Sequence, residues 1–328
     1  MAGGFRGYGS PARHRLTGNN PRMTSVRSAM PATAMSTTGF LTLLLIACMM
    51  GANHVAARVA FDHGMDVATA VTVRSAVTAV AVGLLVWMQG VPLKFTARHK
   101  FALPAIGLLV GVQSLCLYSA VARLPVALAL LAFNSYPLWT AFWARVVYKH
   151  RPPQRVLVAM PVMLLGLALA LDVLGAASGL GAAAQWQQIG AGVAFALAAA
   201  AAFGLALAFT QHEAADLDGR LRTATTMGVV AVMALAGAMS QGGLQWPNAT
   251  AGWVGLAVLT FLYGTGFTIL FVVLPRLGVV GGSPIMNVEP VFALVLAWAI
   301  LGQGIAPVQV MGGLIVVGTA IWLGMRGR

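Results

Sequence analysis

Two short stretches, Asn134-Ser135-Tyr136-Pro137 and Asn287-Val288-Glu289-Pro290, share an Asn-x-x-Pro pattern and lie 153 residues apart. The same offset, without any gap, places Gly51 on Gly204. Proline lacks the backbone donor that a helix interior needs, so the same proline pattern at the same place in two apolar helices is unlikely to arise by chance. The chain is therefore predicted to contain an internal repeat.

The composition around these stretches is that of a membrane protein. Hydrophobic residues make up 59% of the 328 residues and charged residues only 8%, whereas a soluble chain carries about a quarter charged residues. The apolar runs must therefore contact lipid or one another, and an all-α integral membrane protein is predicted.

Ten apolar runs are long enough to cross a bilayer of about 30 Å as helices. They do not alternate apolar and polar residues, which argues against barrel strands. The predicted ten transmembrane helices are 38–57, 67–88, 101–121, 125–147, 156–174, 189–209, 223–239, 253–274, 279–300 and 307–324.

The offset divides these helices into two five-helix repeats, 38–174 and 189–324. An odd number of spans reverses the second repeat, and such inverted repeats support alternating access in transporters.

Residues 1–37 are rich in Arg, Gly, Pro and Ser and contain no acid, which predicts a disordered basic tail. A transit peptide and a start codon placed too early remain alternatives for this segment.

The basic residues predict the orientation. With the N-terminus inside, 16 Lys and Arg residues fall in inside segments and 2 in outside loops. This bias predicts a multi-pass protein of the cell inner (plasma) membrane with both termini cytoplasmic. It also explains the net charge of +13, so no nucleic-acid partner is predicted.

The two Asn-x-x-Pro stretches, together with glycines and polar residues in both predicted repeats, make the sequence resemble the EamA branch of the drug/metabolite transporter superfamily. The resemblance implies two five-helix repeats and a secondary transporter, an exporter, for a small metabolite, amino acid or drug. A membrane-embedded lipid-modifying enzyme or a lipid flippase is the alternative function. The family usually has Glu where this chain has His150 and Gln303. The residues that carry the resemblance are Gly51, Asn53, Arg74, Asn134 to Pro137, Glu289-Pro290, Leu301-Gly302-Gln303, Gly312-Gly313 and Gly318.

Glu289 is the main candidate for substrate binding, because a carboxyl group inside a membrane span is costly and needs a reason. It precedes Pro290, which loosens the helix at that point. Glu289 is predicted to bind a cationic group or a proton, and a structural hydrogen bond is the alternative.

Other polar and aromatic residues are weaker candidates for the same site. Asn134 and Asn287 are predicted to bind a polar substrate near the axis, or else to cap backbone freed by Pro137 and Pro290. The remaining candidates can line the site or only pack there, and they are Tyr136, Trp139, Asn53 and His54.

Arg74 and Asp172 lie in the outer half of the membrane, where they are predicted to form an ion pair, and snorkelling of Arg74 is the alternative. No metal, cofactor or enzymatic activity is predicted. The expected partners are a small-molecule substrate and the lipid bilayer, with either proton coupling or exchange, and the sequence does not define the oligomeric state.

Overall fold

The computed structural model describes residues 37–150, 154–269 and 287–325, which belong to one compact unit of the chain. The predicted tail at 1–37 lies outside the described residues except for Thr37. The described residues form helices and no strands, which confirms the all-α prediction for this part of the chain. The helices are α1 Thr37–Asp62, α2 Val67–Met88, α3 Ala97–Val121, α4 Val126–Phe133, α5 Tyr136–Tyr148, α6 Gln154–Ala170, α7 Ala182–Glu213, α8 Gly219–Ser240, α9 Thr250–Thr268, α10 Glu289–Leu301 and α11 Pro307–Met325.

Within the described ranges, 7 helical segments are long and apolar enough to cross a membrane, and α4 with α5 counts as one of them. Three further apolar helices, α6, α10 and α11, are shorter. Every predicted span coincides with at least part of a helix. The beginning of the span predicted at 279–300 and the end of the span predicted at 253–274 lie outside the described residues.

Two predicted boundaries need correction. The span predicted at 125–147 is not one continuous helix, because it breaks between Phe133 and Tyr136. The span predicted at 156–174 ends as a helix at Ala170, and Asp172 in the following turn has a left-handed φ of 49°. Apolar residues flank both positions, so mean hydropathy over a whole span did not reveal the change in backbone.

Polar side chains define where several helices begin. Asp66 accepts hydrogen bonds from the backbone N–H groups of Ala68 and Thr69 at the start of α2. Thr96 and His99 form a reciprocal capping box at the start of α3. Such caps satisfy donors that the first turn of a helix leaves without a partner.

The helices pack in a pattern that repeats between the two halves. Helices α1, α2, α3 and α6 correspond to α7, α8, α9 and α11, and α5 corresponds to α10. Several contacts between the halves have an equivalent contact in which the helices of the two halves are exchanged. The contact of α3 with α7 is equivalent to that of α9 with α1, and the contact of α5 with α7 is equivalent to that of α10 with α1. The contacts of α2 with α8 and of α6 with α11 convert into themselves. The described helices therefore pack as two similar halves around α4, which is buried along its length from Val126 to Ala132.

Candidate functional site

The site begins at the two Asn-x-x-Pro stretches, where the chain starts a new helix in each half. Tyr136 is the first residue of α5 and Glu289 is the first residue of α10. Pro137 and Pro290 occupy the second helical position, where a backbone N–H is not needed. In a continuous helix the N–H of residue 137 would bond to the carbonyl of Phe133, so proline explains the break after α4.

Each new helix packs against a glycine of the other half. A Cβ atom on Gly51 would lie 3.0 Å from the backbone of Glu289 and Ala293, and 3.3 Å from the Phe292 Cβ. A Cβ on Gly204 would lie 2.7 Å from the Thr140 backbone N and the Trp139 Cβ. Phe292 and Ala293 correspond to Trp139 and Thr140 at the offset of the internal repeat, so the two halves make the same helix contact.

A hydrogen bond joins the two Asn-x-x-Pro stretches directly. The Tyr136 hydroxyl donates to Asn287 Oδ1 at 3.2 Å. Asn287 is therefore in contact with the first half through this hydrogen bond. Asn134 is also buried, and its backbone N–H donates to the Leu130 carbonyl at the end of α4. Whether either amide contacts substrate stays a prediction.

The two aromatic candidates in α5 have packing partners. The Tyr136 ring lies 5.6 Å from the Phe133 ring and 5.1 Å from the Phe203 ring, between centroids. Trp139 packs with its Cβ against Gly204 and its ring 6.0 Å from Phe142. Both contacts hold α5 against its neighbours, and a role in substrate binding remains a prediction for both residues.

The remaining candidates meet around Tyr118, a residue of α3 that is fully buried. We call this group the Tyr118 cluster and define it by six side chains from five helices. The Tyr118 hydroxyl donates to Asn53 Oδ1 at 2.9 Å, and its ring lies edge-on to the His54 ring at 5.6 Å. The members of the cluster are Asn53, His54, Arg74, Tyr118, Tyr263 and Glu289.

Glu289 pairs with a residue of the other half. Its Oε1 lies 3.3 Å from His54 Nε2, and the side chains are 21% and 8% exposed. The first turn of a helix also favours a carboxylate, because backbone N–H groups there carry partial positive charge. Glu289 therefore belongs to the Tyr118 cluster and also begins the helix at the second Asn-x-x-Pro stretch.

Arg74 is held by aromatic rings. Its guanidinium carbon lies 4.5 Å from the centre of the Tyr118 ring and 3.9 Å from that of the Tyr263 ring. Ring faces attract a cation, and the attraction is stronger when water is excluded. Arg74 is only 3% exposed, and none of the ion pairs among the described residues includes it.

The predicted ion pair of Arg74 with Asp172 is therefore wrong. Asp172 instead accepts backbone hydrogen bonds from Ala177 at 3.0 Å and Ser178 at 2.8 Å. The turn after α6 folds the chain back onto this carboxylate, so Asp172 organises its own loop. The sequence indicated only that both side chains lie at a similar depth in the membrane. It did not indicate the aromatic rings beside Arg74 or the backbone N–H groups that donate to Asp172.

Several polar atoms in the Tyr118 cluster have no hydrogen-bond partner among the described residues. They are Asn53 Nδ2, His54 Nδ1 and Arg74 Nε. A charged side chain at the centre of a membrane helix costs about 2.5–3.5 kcal/mol on insertion scales. An unsatisfied buried polar group adds about 1–3 kcal/mol. Groups this costly usually mark a function, so the cluster is the candidate functional site.

Sequence reasoning missed two members of this site. Tyr118 and Tyr263 lie on α3 and α9, and neither was among the predicted binding residues. The available signal was weak, because a single tyrosine in an apolar helix is usually a packing residue. Their role depends on Arg74, which the fold brings between helices that are distant in sequence.

Two similar halves with a buried polar cluster between them are the arrangement of many membrane transporters. A family model for the EamA-like transporter family matches the chain twice, at residues 37–171 and 190–325. The matches begin at the same offset as the two Asn-x-x-Pro stretches. The chain thus belongs to the EamA-like transporter family and is a multi-pass transporter of the drug/metabolite type.

Comparison with solved structures supports the fold alone. Among solved structures, 15 chains match this one. One of them, described as "Crystal structure of protein", is 18% identical with a TM-score of 0.57 and covers 89% of this chain and 99% of its own. No curated protein matches the sequence.

Proposed function

We propose that the chain is a secondary transporter that exports a small metabolite, an amino acid or a drug across the cytoplasmic membrane by alternating access. The observation that carries the proposal is the repeated contact of Gly51 with α10 and of Gly204 with α5. Two equivalent contacts, each beside the start of a helix that follows an Asn-x-x-Pro stretch, give the protein two equivalent places to bend. Rocking of inverted repeats about such places is the usual basis of alternating access.

The first side chains of the two equivalent helices α5 and α10 differ, although their backbones start at equivalent positions. The first half presents Tyr136 and the second half presents Glu289. Only one of the two positions therefore carries an ionisable carboxyl group. This asymmetry suits a substrate with one polar end and one apolar or aromatic end.

The contact of His54 with Glu289 suggests how the carboxylate is used. An ion bound by a carboxylate must displace the partner that already occupies it. We infer that a cationic group of the substrate, or a proton, competes with His54 for Glu289. Because His54 lies on α1 and Glu289 on α10, that competition changes a contact between the halves.

The test is transport by a variant in which Glu289 is replaced by Gln. This replacement keeps the shape of the side chain and removes its titratable charge. Purified protein in proteoliposomes would be screened with amino acids, nucleosides, cationic drugs and a fluorescent lipid. We expect Glu289→Gln to abolish concentrative transport while expression and the unfolding midpoint stay near those of the native chain.

The matched control is Glu213→Gln, because Glu213 is the only other glutamate in the sequence. Its carboxylate pairs with Arg98 at 2.7 Å at the far end of α7. The control should keep transport. Unaltered transport with unaltered pH dependence in Glu289→Gln would refute the role of Glu289, and transport of the lipid alone would favour a flippase.

A further inference from the structure

The guanidinium of Arg74 is a buried positive charge that the proposed role of Glu289 does not explain. It carries a positive charge at a position that is 3% exposed, and no described carboxylate pairs with it. Tyr118 and Tyr263 attract its charge through their rings. A ring face, however, accepts no conventional hydrogen bond, and a guanidinium has five N–H donors in a planar fork.

Its surroundings contain a further donor without a hydrogen-bond partner in the described part of the chain. Asn53 Nδ2 and Arg74 Nε have no hydrogen-bond partner among the described residues. Both side chains contact the same residue, since Asn53 Oδ1 accepts from the Tyr118 hydroxyl and the Arg74 guanidinium lies over the Tyr118 ring. Glu289 is the nearest acidic member of the Tyr118 cluster, and it is paired with His54 instead. The group is arranged to receive an acceptor that the described protein does not supply.

We propose that Arg74 is the binding site for a carboxylate of the transported molecule, with Asn53 as the second donor. The inference rests on the proposed transport function and narrows the substrate class to organic acids and zwitterions. A carboxylate can take two parallel N–H bonds from the arginine fork, which a neutral amide cannot match in strength. Tyr118 and Tyr263 then act as positioning residues that hold the guanidinium against their rings, while its Nε has no hydrogen-bond partner among the described residues.

Glu289 and Arg74 give the Tyr118 cluster one group of each sign. A zwitterion would place its carboxylate at Arg74 and its cationic group at Glu289. A simple organic acid would use Arg74 alone. The two substrate types therefore differ in their dependence on Glu289 and share their dependence on Arg74.

The experiment compares acids with amides of the same shape. Benzoate and acetate, and their neutral partners benzamide and acetamide, would be titrated into protein purified in a neutral detergent at constant chloride and ionic strength. The readout is the thermal unfolding midpoint. We expect each acid to raise the midpoint of the native protein more than its amide does. In Arg74→Gln the apparent affinity for benzoate should fall about tenfold or more, as for loss of a charged hydrogen bond.

The matched control is Arg123→Gln. Arg123 also lies over an aromatic ring, 4.8 Å from the centre of Phe195, but at an exposed position. This variant should keep the difference between acid and amide. Arg74→Lys keeps the charge without the planar fork, and it should bind benzoate with intermediate affinity, which covers the case in which Arg74→Gln does not fold.

Three outcomes would overturn the inference. The first is an equal response of the native protein to acids and amides. The second is an acid response that survives in Arg74→Gln. The third is saturation of the acid response by added phosphatidylglycerol, which would assign Arg74 to a lipid headgroup. A transport defect in Glu289→Gln beside any of these results would leave the proposed function standing and remove only the carboxylate site.

Discussion

Replacing Gly204 by Ala tests the contact on which the proposed motion depends. The added Cβ would lie 2.7 Å from the Thr140 backbone N and 2.8 Å from the Trp139 carbonyl carbon. Real side chains do not approach backbone atoms this closely, and backbone atoms of a packed helix cannot turn away. Helix α5 must therefore shift from α7, which should cost about 1–3 kcal/mol, the usual range for overpacking.

Two other glycines give the expected order of effects. In the equivalent contact, the Cβ added by Gly51→Ala would lie 3.0 Å from its nearest atoms, so this variant should lose less stability than Gly204→Ala. Gly228 on α8 has no atom within 4 Å of its added Cβ. Gly228→Ala should stabilise the helix by up to about 1 kcal/mol, because alanine favours helix more than glycine does.

The assay is the unfolding midpoint in neutral detergent, followed by the transport rate in proteoliposomes. The midpoints should rise from Gly204→Ala through Gly51→Ala and the native chain to Gly228→Ala. Both contact variants should also transport more slowly than their residual stability explains. A Gly204→Ala protein that unfolds at or above the native midpoint would refute the close approach of α5 and α7.

Three further predictions concern the loops and helix ends. Gln303→Ala should cost about 1–3 kcal/mol of stability in a denaturation assay, because the Gln303 side chain accepts the buried Val126 N–H at 3.0 Å, and Gln303→Glu should not. Arg220 holds the pKa of Asp218 below its usual value, so the carboxylate stabilises the cap of α8 at neutral pH and loses that effect as pH falls through the lowered pKa. Asp218→Ala should thus lower the unfolding midpoint at neutral pH and differ less from the native chain in acid. In a variant without the native cysteines, an impermeant thiol reagent should label Ser178→Cys in intact cells and not Gln154→Cys, and the reverse pattern would overturn the proposed topology.

The sequence predicted the repeat well because repetition leaves a direct record in residue spacing. The offset that aligned the Asn-x-x-Pro stretches also relates the contacts of Gly51 and Gly204 and the two family matches. Helical character was predictable for the same kind of reason, since hydropathy reports on the surroundings of each span.

Contacts across helices were less predictable. Arg74 was paired with Asp172 because the two charges seemed to share a depth, but the structure gives Arg74 two tyrosine rings. Partners of this kind depend on how helices rotate about their axes, which a single sequence does not specify. The break after Phe133 was hidden because apolar residues flank it on both sides.

Because the two halves repeat the same architecture, a position in one half can be compared directly with the equivalent position in the other half. Position 136 and position 289 begin equivalent helices against equivalent glycines, so a substitution at one has a counterpart at the other in nearly the same surroundings. A chain with Tyr136→Glu and Glu289→Tyr together would keep its composition and move its carboxylate to the opposite copy. Ancestral gene doubling has thus left a natural pair of sites in which the effect of chemistry can be separated from the effect of backbone shape.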